Sequence, residues 1–154
     1  MARRPAAPSE LDEIERHIDA WATRQVSADE CVASVERAEP PLRRWYIRLL
    51  GEEKSVFSVW LTLQQRSLHF ETYFVPAPEE NHARFYEYCL RRNLKLRGAR
   101  FAIGAEDAVF LVGEIAAGDV DDEELDRILG TLYEATERHF RPAMRIGYAT
   151  RFRG

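Results

Sequence analysis

Between Arg44 and Val75 the chain changes side at almost every residue. Trp45, Ile47 and Leu49 alternate with Arg44, Tyr46 and Arg48, and beyond Gly51-Glu52-Glu53-Lys54 a second run places Phe57, Val59, Leu61 and Leu63 on one face. After Gln65-Arg66-Ser67, a third run sets Leu68, Phe70, Thr72 and Phe74 against His69, Glu71, Tyr73 and Val75, and Pro76 closes it. Successive side chains of a strand point to opposite faces, so this spacing with short polar turns predicts an antiparallel meander of three strands with one face far more apolar than the other. A weaker alternation precedes it, Cys31, Ala33 and Val35 against Val32, Ser34 and Glu36, and ends at Pro40 and Pro41.

A one-sided sheet needs cover, and the flanking segments have helical spacing. Behind Ser9 and Asp12, read as a cap, Leu11, Ile14, Ile18 and Trp21 predict a helix over about residues 9 to 24. Residues 1–8, with two arginines and two prolines, are expected to be a flexible leader to a single domain over residues 9–154. After the proline stop at Pro76 to Asn81, a second helix is predicted over about 79 to 92. Its Ala83, Phe85, Tyr86, Tyr88, Cys89 and Leu90 cover more of the circumference than one core-facing stripe needs. Asn93 is expected to end that helix in the left-handed conformation, with a bend at Gly98 before a strand at Arg100 to Ile103.

The continuous apolar run Ala108 to Val112, extended by Gly113 and Ile115, predicts a central strand covered on both faces. Asp121 and Glu124 in capping-box relation open a last helix with Leu125, Ile128, Leu129, Leu132, Tyr133, Thr136 and Phe140 on one face. Pro142 is expected to stop or bend it, leaving a short terminal strand or an ordered arm from Met144 onward. The expected order is α-β-β-β-α-β-β-α, an α+β fold in which helices flank an antiparallel sheet, and not a parallel nucleotide-binding sheet.

Composition narrows the function classes. No apolar run in the 154 residues approaches the roughly 20 a membrane helix requires, and the first residues lack the apolar stretch of a secretory signal, so the expected location is the cytoplasm. Two cysteines, Cys31 and Cys89, suit reduced thiols better than a disulfide framework. A formal charge of −4 and a pI near 5.6 argue against non-specific nucleic-acid binding.

Motifs for chemistry are missing. There is no Gly-x-Ser-x-Gly and no phosphate-cradling Gly-Lys-Ser/Thr, and Gly98, Gly104, Gly113 and Gly118 are scattered. His17, His69, His82 and His139 fall in separate elements without zinc-ligand spacing. His69 and Glu71 share a strand face, but no third group orients them for acid/base work. The acidic run from Asp119 to Glu124 fits a helix start better than a calcium loop. No catalytic residue, cofactor or metal is therefore expected. Two features do suggest binding. Arg91, Arg92 and Lys95, continued by Arg97 and Arg100, form the densest cationic stretch and could grip an anion or an acidic partner, or simply be a solvated helix end. Trp45, Tyr46, Trp60, Tyr73, Tyr86 and Tyr88 exceed what one sheet face needs to bury.

The run His69-Phe70-Glu71-Thr72-Tyr73-Phe74-Val75-Pro76-Ala77-Pro78-Glu79-Glu80-Asn81, together with Arg91-Arg92-Asn93, Phe101-Ala102-Ile103-Gly104, Leu111-Val112-Gly113 and Asp122-Glu123-Glu124-Leu125-Asp126, resembles the YbjN family of bacterial proteins. The resemblance covers about residues 42 to 150, and the first 40 residues match only in topology. It implies a fold like that of the small dimeric chaperones of type III secretion, a role in sensory transduction regulation, and a dimer to which the wide-faced second helix contributes. Phe85, Tyr86, Tyr88 and Cys89 are then the candidate partner or dimer interface. The expected function is a non-enzymatic, homodimeric protein-binding adaptor or chaperone-like regulatory module. The alternative is a small-molecule or nucleotide sensing domain.

Overall fold

The computed structural model describes residues 4–152; the first three positions of the expected leader, and Arg153 and Gly154 of the tail, lie outside the described residues. Nine main elements follow one another: α1 (Pro8–Ala28), β1 (Val32–Arg37), β2 (Arg44–Leu50), β3 (Val56–Leu63), β4 (Ser67–Val75), α2 (His82–Asn93), β5 (Arg100–Ile103), β6 (Val109–Ala116) and α3 (Asp122–Gly147). The strands form one six-stranded antiparallel sheet in the order β1-β2-β3-β4-β6-β5. The weak alternation before Pro40 is thus a full edge strand, so four strands rather than three precede α2.

All three helices pack on the face that carries Trp45, Ile47, Leu49, Phe57, Val59, Leu61, Leu68 and Phe70, each of them buried. Leu11, Ile18 and Trp21 of α1 and Leu125, Ile128 and Leu132 of α3 close over that face. Fully burying one such side chain is worth roughly 1.5–3 kcal/mol, which makes this two-layer contact the main source of stability. Residues 8–28 therefore complete the core.

Polar tethers at the rim of the core fix the helices in register. The Trp45 indole donates to Asp19 Oδ1 at 2.8 Å, tying β2 to α1, and the Trp21 indole donates to Asp126 Oδ1 at 2.8 Å, tying α1 to α3. Arg37 binds the same Asp19 oxygen at 2.8 Å while its guanidinium lies 4.5 Å over the Trp45 ring. On β6, inward-facing Gly113 lies opposite Phe70; a Cβ there would come within 2.5 Å of both the Phe70 ring and the Gly98 carbonyl oxygen. Only glycine allows that approach.

Several local expectations are corrected. The first helix starts one residue earlier, with Pro8 in its first turn, and Glu10 rather than Ser9 meets its open end, accepting the Ala7 N–H at 3.2 Å. Within the expected leader, Ala6 donates its N–H to the Gln65 carbonyl at 2.8 Å and packs against the core. Asn93 stays helical; its side chain instead holds both backbone groups of Phe101, accepting the N–H at 2.7 Å and donating to the carbonyl at 3.2 Å. The left-handed residues are instead Asn81, at the start of α2 with φ 52°, Gly98, with φ 76°, and Glu106 and Asp107, each with φ 58°.

β6 is covered on one face only, because all three helices lie on the same side of the sheet. Val109, Leu111 and Gly113 are buried, whereas Phe110 and Val112 are half-exposed. A register shift between Tyr73 and Val75 turns both Phe74 and Val75 inward, against the alternation expected for Val75. Asp121 does cap α3, accepting the Glu124 N–H at 2.8 Å, but Glu124 reaches forward to Arg127 instead of back. α3 runs through Pro142 to Gly147, and the described residues beyond it form no strand. Buried Tyr148 follows and donates its hydroxyl to the Pro76 and Ala77 carbonyls.

Candidate binding face

Strand alternation that buries one face of the sheet necessarily sends the other half of its side chains outward, and here they meet no helix. That face carries Tyr46 on β2, Trp60 on β3, Tyr73 on β4 and Phe110 on β6. Tyr46 and Trp60 sit directly opposite each other in the β2–β3 register, with rings edge to face at 4.9 Å. Tyr73 and Phe110 do the same across β4 and β6 at 5.5 Å. Such pairs add roughly 0.5–1.5 kcal/mol beyond area burial and hold the rings in place. They do not hide them: Trp60 remains 39% and Tyr73 45% exposed.

Between the pairs lies a groove of about 570 Å³ lined by Lys54, Val56, Ser58, Trp60, Glu71, Tyr73 and Phe110. Cations frame it. The Arg44 guanidinium stacks 5.1 Å from the Trp60 ring and donates to Thr62 Oγ1 at 2.8 Å. Lys54 Nζ lies 5.1 Å from the Tyr73 ring and donates to the Tyr73 and Phe74 carbonyls at 2.8 and 2.6 Å. Burial without a carboxylate partner lowers the Lys54 pKa to about 8. His69 shares this face with Glu71, as expected, but its nearest acid is Glu114 across the β4–β6 pair, at 3.6 Å. Both are about half-exposed, which fits an ordinary sheet-surface pair.

The residues expected at an interface on α2 divide. Phe85 and Cys89 face the chain's own core, so they are corrected from surface to interior positions, and burial raises the Cys89 thiol to about 12. Tyr86 is half-buried on Phe85, with ring centroids 5.7 Å apart. Tyr88 shares a hydrogen bond of 2.8 Å with His139 Nδ1 on α3, and Arg92 stacks 5.0 Å over the Tyr88 ring. Arg91 pairs loosely with Glu87 at 3.5 Å, and Lys95 is exposed. What α2 does present outward is Leu90, 69% exposed, with Leu94, 88% exposed, just beyond its end. The spacing of four residues that brings these leucines together was present in the sequence.

Both cysteines are free; Cys31 Sγ lies 3.7 Å from the Tyr133 hydroxyl. Among the described residues no three His, Cys, Asp or Glu side chains gather as a metal ion would require, and no helix is long and apolar enough to cross a membrane.

Known proteins share both the sequence pattern and the architecture. An uncharacterized protein of Mycobacterium leprae is 31% identical over 107 residues, covering 70% of this chain and 58% of the relative. One from Mycobacterium bovis is 30% identical over 102 residues, covering 66% and 56%. The chain thus spans less than three-fifths of the length of these relatives. Among solved structures, a chain of the ExsC–ExsE complex superposes with a TM-score of 0.56 at 18% identity, covering 85% of this chain and 93% of the other. A chain of the heterodimeric ExoU–SpcU complex of Pseudomonas aeruginosa type III secretion gives 0.55 at 16% identity, covering 82% and 96%. The complex of the Yersinia pestis type III secretion chaperone SycH with a fragment of YscM2 gives 0.52 at 17% identity, covering 80% and 96%. The fold is that of the type III secretion chaperones. Residues 11–143 match a family described as "Putative bacterial sensory transduction regulator", so a match that runs from α1 through most of α3 makes the chain a member of the YbjN family.

Proposed function

We propose that the protein is a non-enzymatic adaptor or chaperone-like regulatory module that binds another polypeptide along the helix-free face of its sheet. One observation carries this reading: two aromatic pairs stand half-exposed in the middle of that face while three helices close the opposite one. Exposed contiguous apolar surface costs solvation free energy and marks interaction sites in soluble proteins. A partner's apolar side chains would fill the groove between Trp60 and Tyr73, with Arg44 and Lys54 steering an acidic approach.

The solved complexes with the same fold each pair it with another protein, which supports a polypeptide ligand. The protein acts as a homodimer, with exposed Leu90 and Leu94 at the contact and Tyr86 at its edge. Its free thiols suit the reducing cytoplasm, where its regulatory role lies.

The test places a photo-crosslinking phenylalanine analogue at position 73 of the native chain. Covalently trapped proteins are identified, produced in pure form, and their affinity measured for wild type and for Trp60→Glu. At least a tenfold loss in Trp60→Glu, with Leu94→Ser unaffected, is the expected outcome, since a buried charge removes more than about 1.4 kcal/mol. A purified partner that binds Trp60→Glu as tightly as wild type overturns the reading. Sedimentation equilibrium that finds only monomer at tens of micromolar overturns the dimer.

A further inference from the structure

On the helical side of the sheet, the turn after α2 and the middle of α3 enclose a small polar cleft of about 220 Å³, away from the aromatic face. Lys95 and Arg97 line it from the turn, and Glu134, Arg138 and His139 from α3. Three cations therefore face one carboxylate, in a chain whose formal charge is −4. Glu134 is engaged by Arg138 at 3.0 Å, and among the described residues no carboxylate lies within ion-pair distance of Lys95 or Arg97.

The wall behind the cleft is cationic too. Arg92, stacked on Tyr88, has a buried Nε with no hydrogen-bond partner. His139 is only 7% exposed, and Tyr88 takes its Nδ1, which leaves Nε2 for a ligand. Burial first, then Arg92 and Arg138, depress the imidazole pKa, with Glu134 opposing. Phe101 of β5, the remaining neighbour of the ring, carries no charge. The imidazole thus faces two cations, Arg92 and Arg138, against the single carboxylate of Glu134.

We propose that this cleft binds a phosphomonoester, with Lys95, Arg97 and Arg138 on its terminal oxygens and His139 Nε2 as an additional donor. A phosphomonoester carries close to two negative charges at neutral pH and three strong acceptor oxygens, matching the cations and donors present. A lone carboxylate would leave two of the three cations uncompensated. The volume suits a phosphate group with little attached and is below the roughly 300 Å³ at which pockets for drug-sized ligands begin.

The full chain is titrated with O-phosphoserine, with inorganic phosphate, and with sodium chloride at matched ionic strength, following the His139 imidazole resonances by NMR. Saturable shifts with phosphoserine, an upward move of the His139 titration midpoint in the complex, and affinity falling as salt rises are expected. Arg97→Gln and Arg138→Gln, at exposed positions with little to lose in folding, should each weaken binding by about tenfold. Glu134→Gln, which removes the competing carboxylate, should tighten it. Shifts that only track chloride, unchanged affinity in both arginine variants, or binding of inorganic phosphate with phosphoserine excluded would each overturn the proposal.

Discussion

The Glu137 carboxylate on α3 accepts the backbone N–H of Glu53 at 2.7 Å, 84 residues back along the chain in the β2–β3 turn. The neighbouring amides of Glu52 and Lys54 converge on the same carboxylate, the second at 3.3 Å, and Arg141 pairs with Glu53. Three consecutive amides thus form an anion nest that α3 fills, and the hairpin carrying Lys54 to the aromatic face is fastened to the helical layer.

Replacing Glu137 with Ala should cost about 1–3 kcal/mol, because hydrogen bonds to a charged group are lost and the amides must find water. Urea unfolding measures it. A change below about 0.5 kcal/mol, the usual range for a surface substitution, would show that the nest is not a structural fastener.

Of the three tryptophans, Trp21 and Trp45 are at most 1% exposed, and Trp60 is 39% exposed. Acrylamide should therefore quench one component of the intrinsic fluorescence strongly, and Trp60→Phe should remove that component with little change in stability. An accessible component that survives in Trp60→Phe would mean that one of the core indoles is open to solvent.

Lys54 is one of only two lysines, so its ε-carbon resonance can be assigned with a Lys54→Arg variant. Its titration should centre near 8 instead of the ordinary 10.5. With the folded value depressed, the unfolded chain binds more protons between those limits, and stability contributed by this group rises as pH increases from about 8 to 10.5. A Lys54→Met variant should lack that rise relative to wild type. A midpoint above 10 in the folded protein would contradict the burial of the ammonium.

His139 gives a pH dependence of the same sign in a more acidic window. Its folded pKa lies below the ordinary 6.5, so the unfolded state takes up a proton first and stability falls as pH drops below about 6.5. The neutral ring keeps its bond with Tyr88. The difference in unfolding free energy between wild type and His139→Gln should therefore shrink on acidification. A difference that stays flat from pH 7.5 to 5 would argue against a neutral, buried imidazole.

Local pattern sufficed wherever one period and one punctuation mark decided the matter. Trp45-Ile47-Leu49 and Leu68-Phe70 announce their strands, and Leu125 to Leu132 their helix, because burying an apolar face is a property of neighbouring residues. The α+β class followed from their order. The sequence also held the resemblance to YbjN proteins and the absence of catalytic motifs.

What the sequence left open was which face would be covered and by what. Phe85 and Cys89 are interior only because α2 rests on α3 and β5, a contact that no local pattern on α2 encodes. The continuous apolar run at Ala108 to Val112 is buried on one side only, because all three helices lie on that side, and this leaves Phe110 beside Tyr73. The pairs Trp45 with Asp19, Trp21 with Asp126 and Glu137 with the hairpin amides span 26, 105 and up to 85 residues. No local periodicity encodes such partners. They exist only once hydrophobic closure has brought distant elements within hydrogen-bond reach, and that closure also concentrates the aromatic groove on one face and the cationic cleft among the helices.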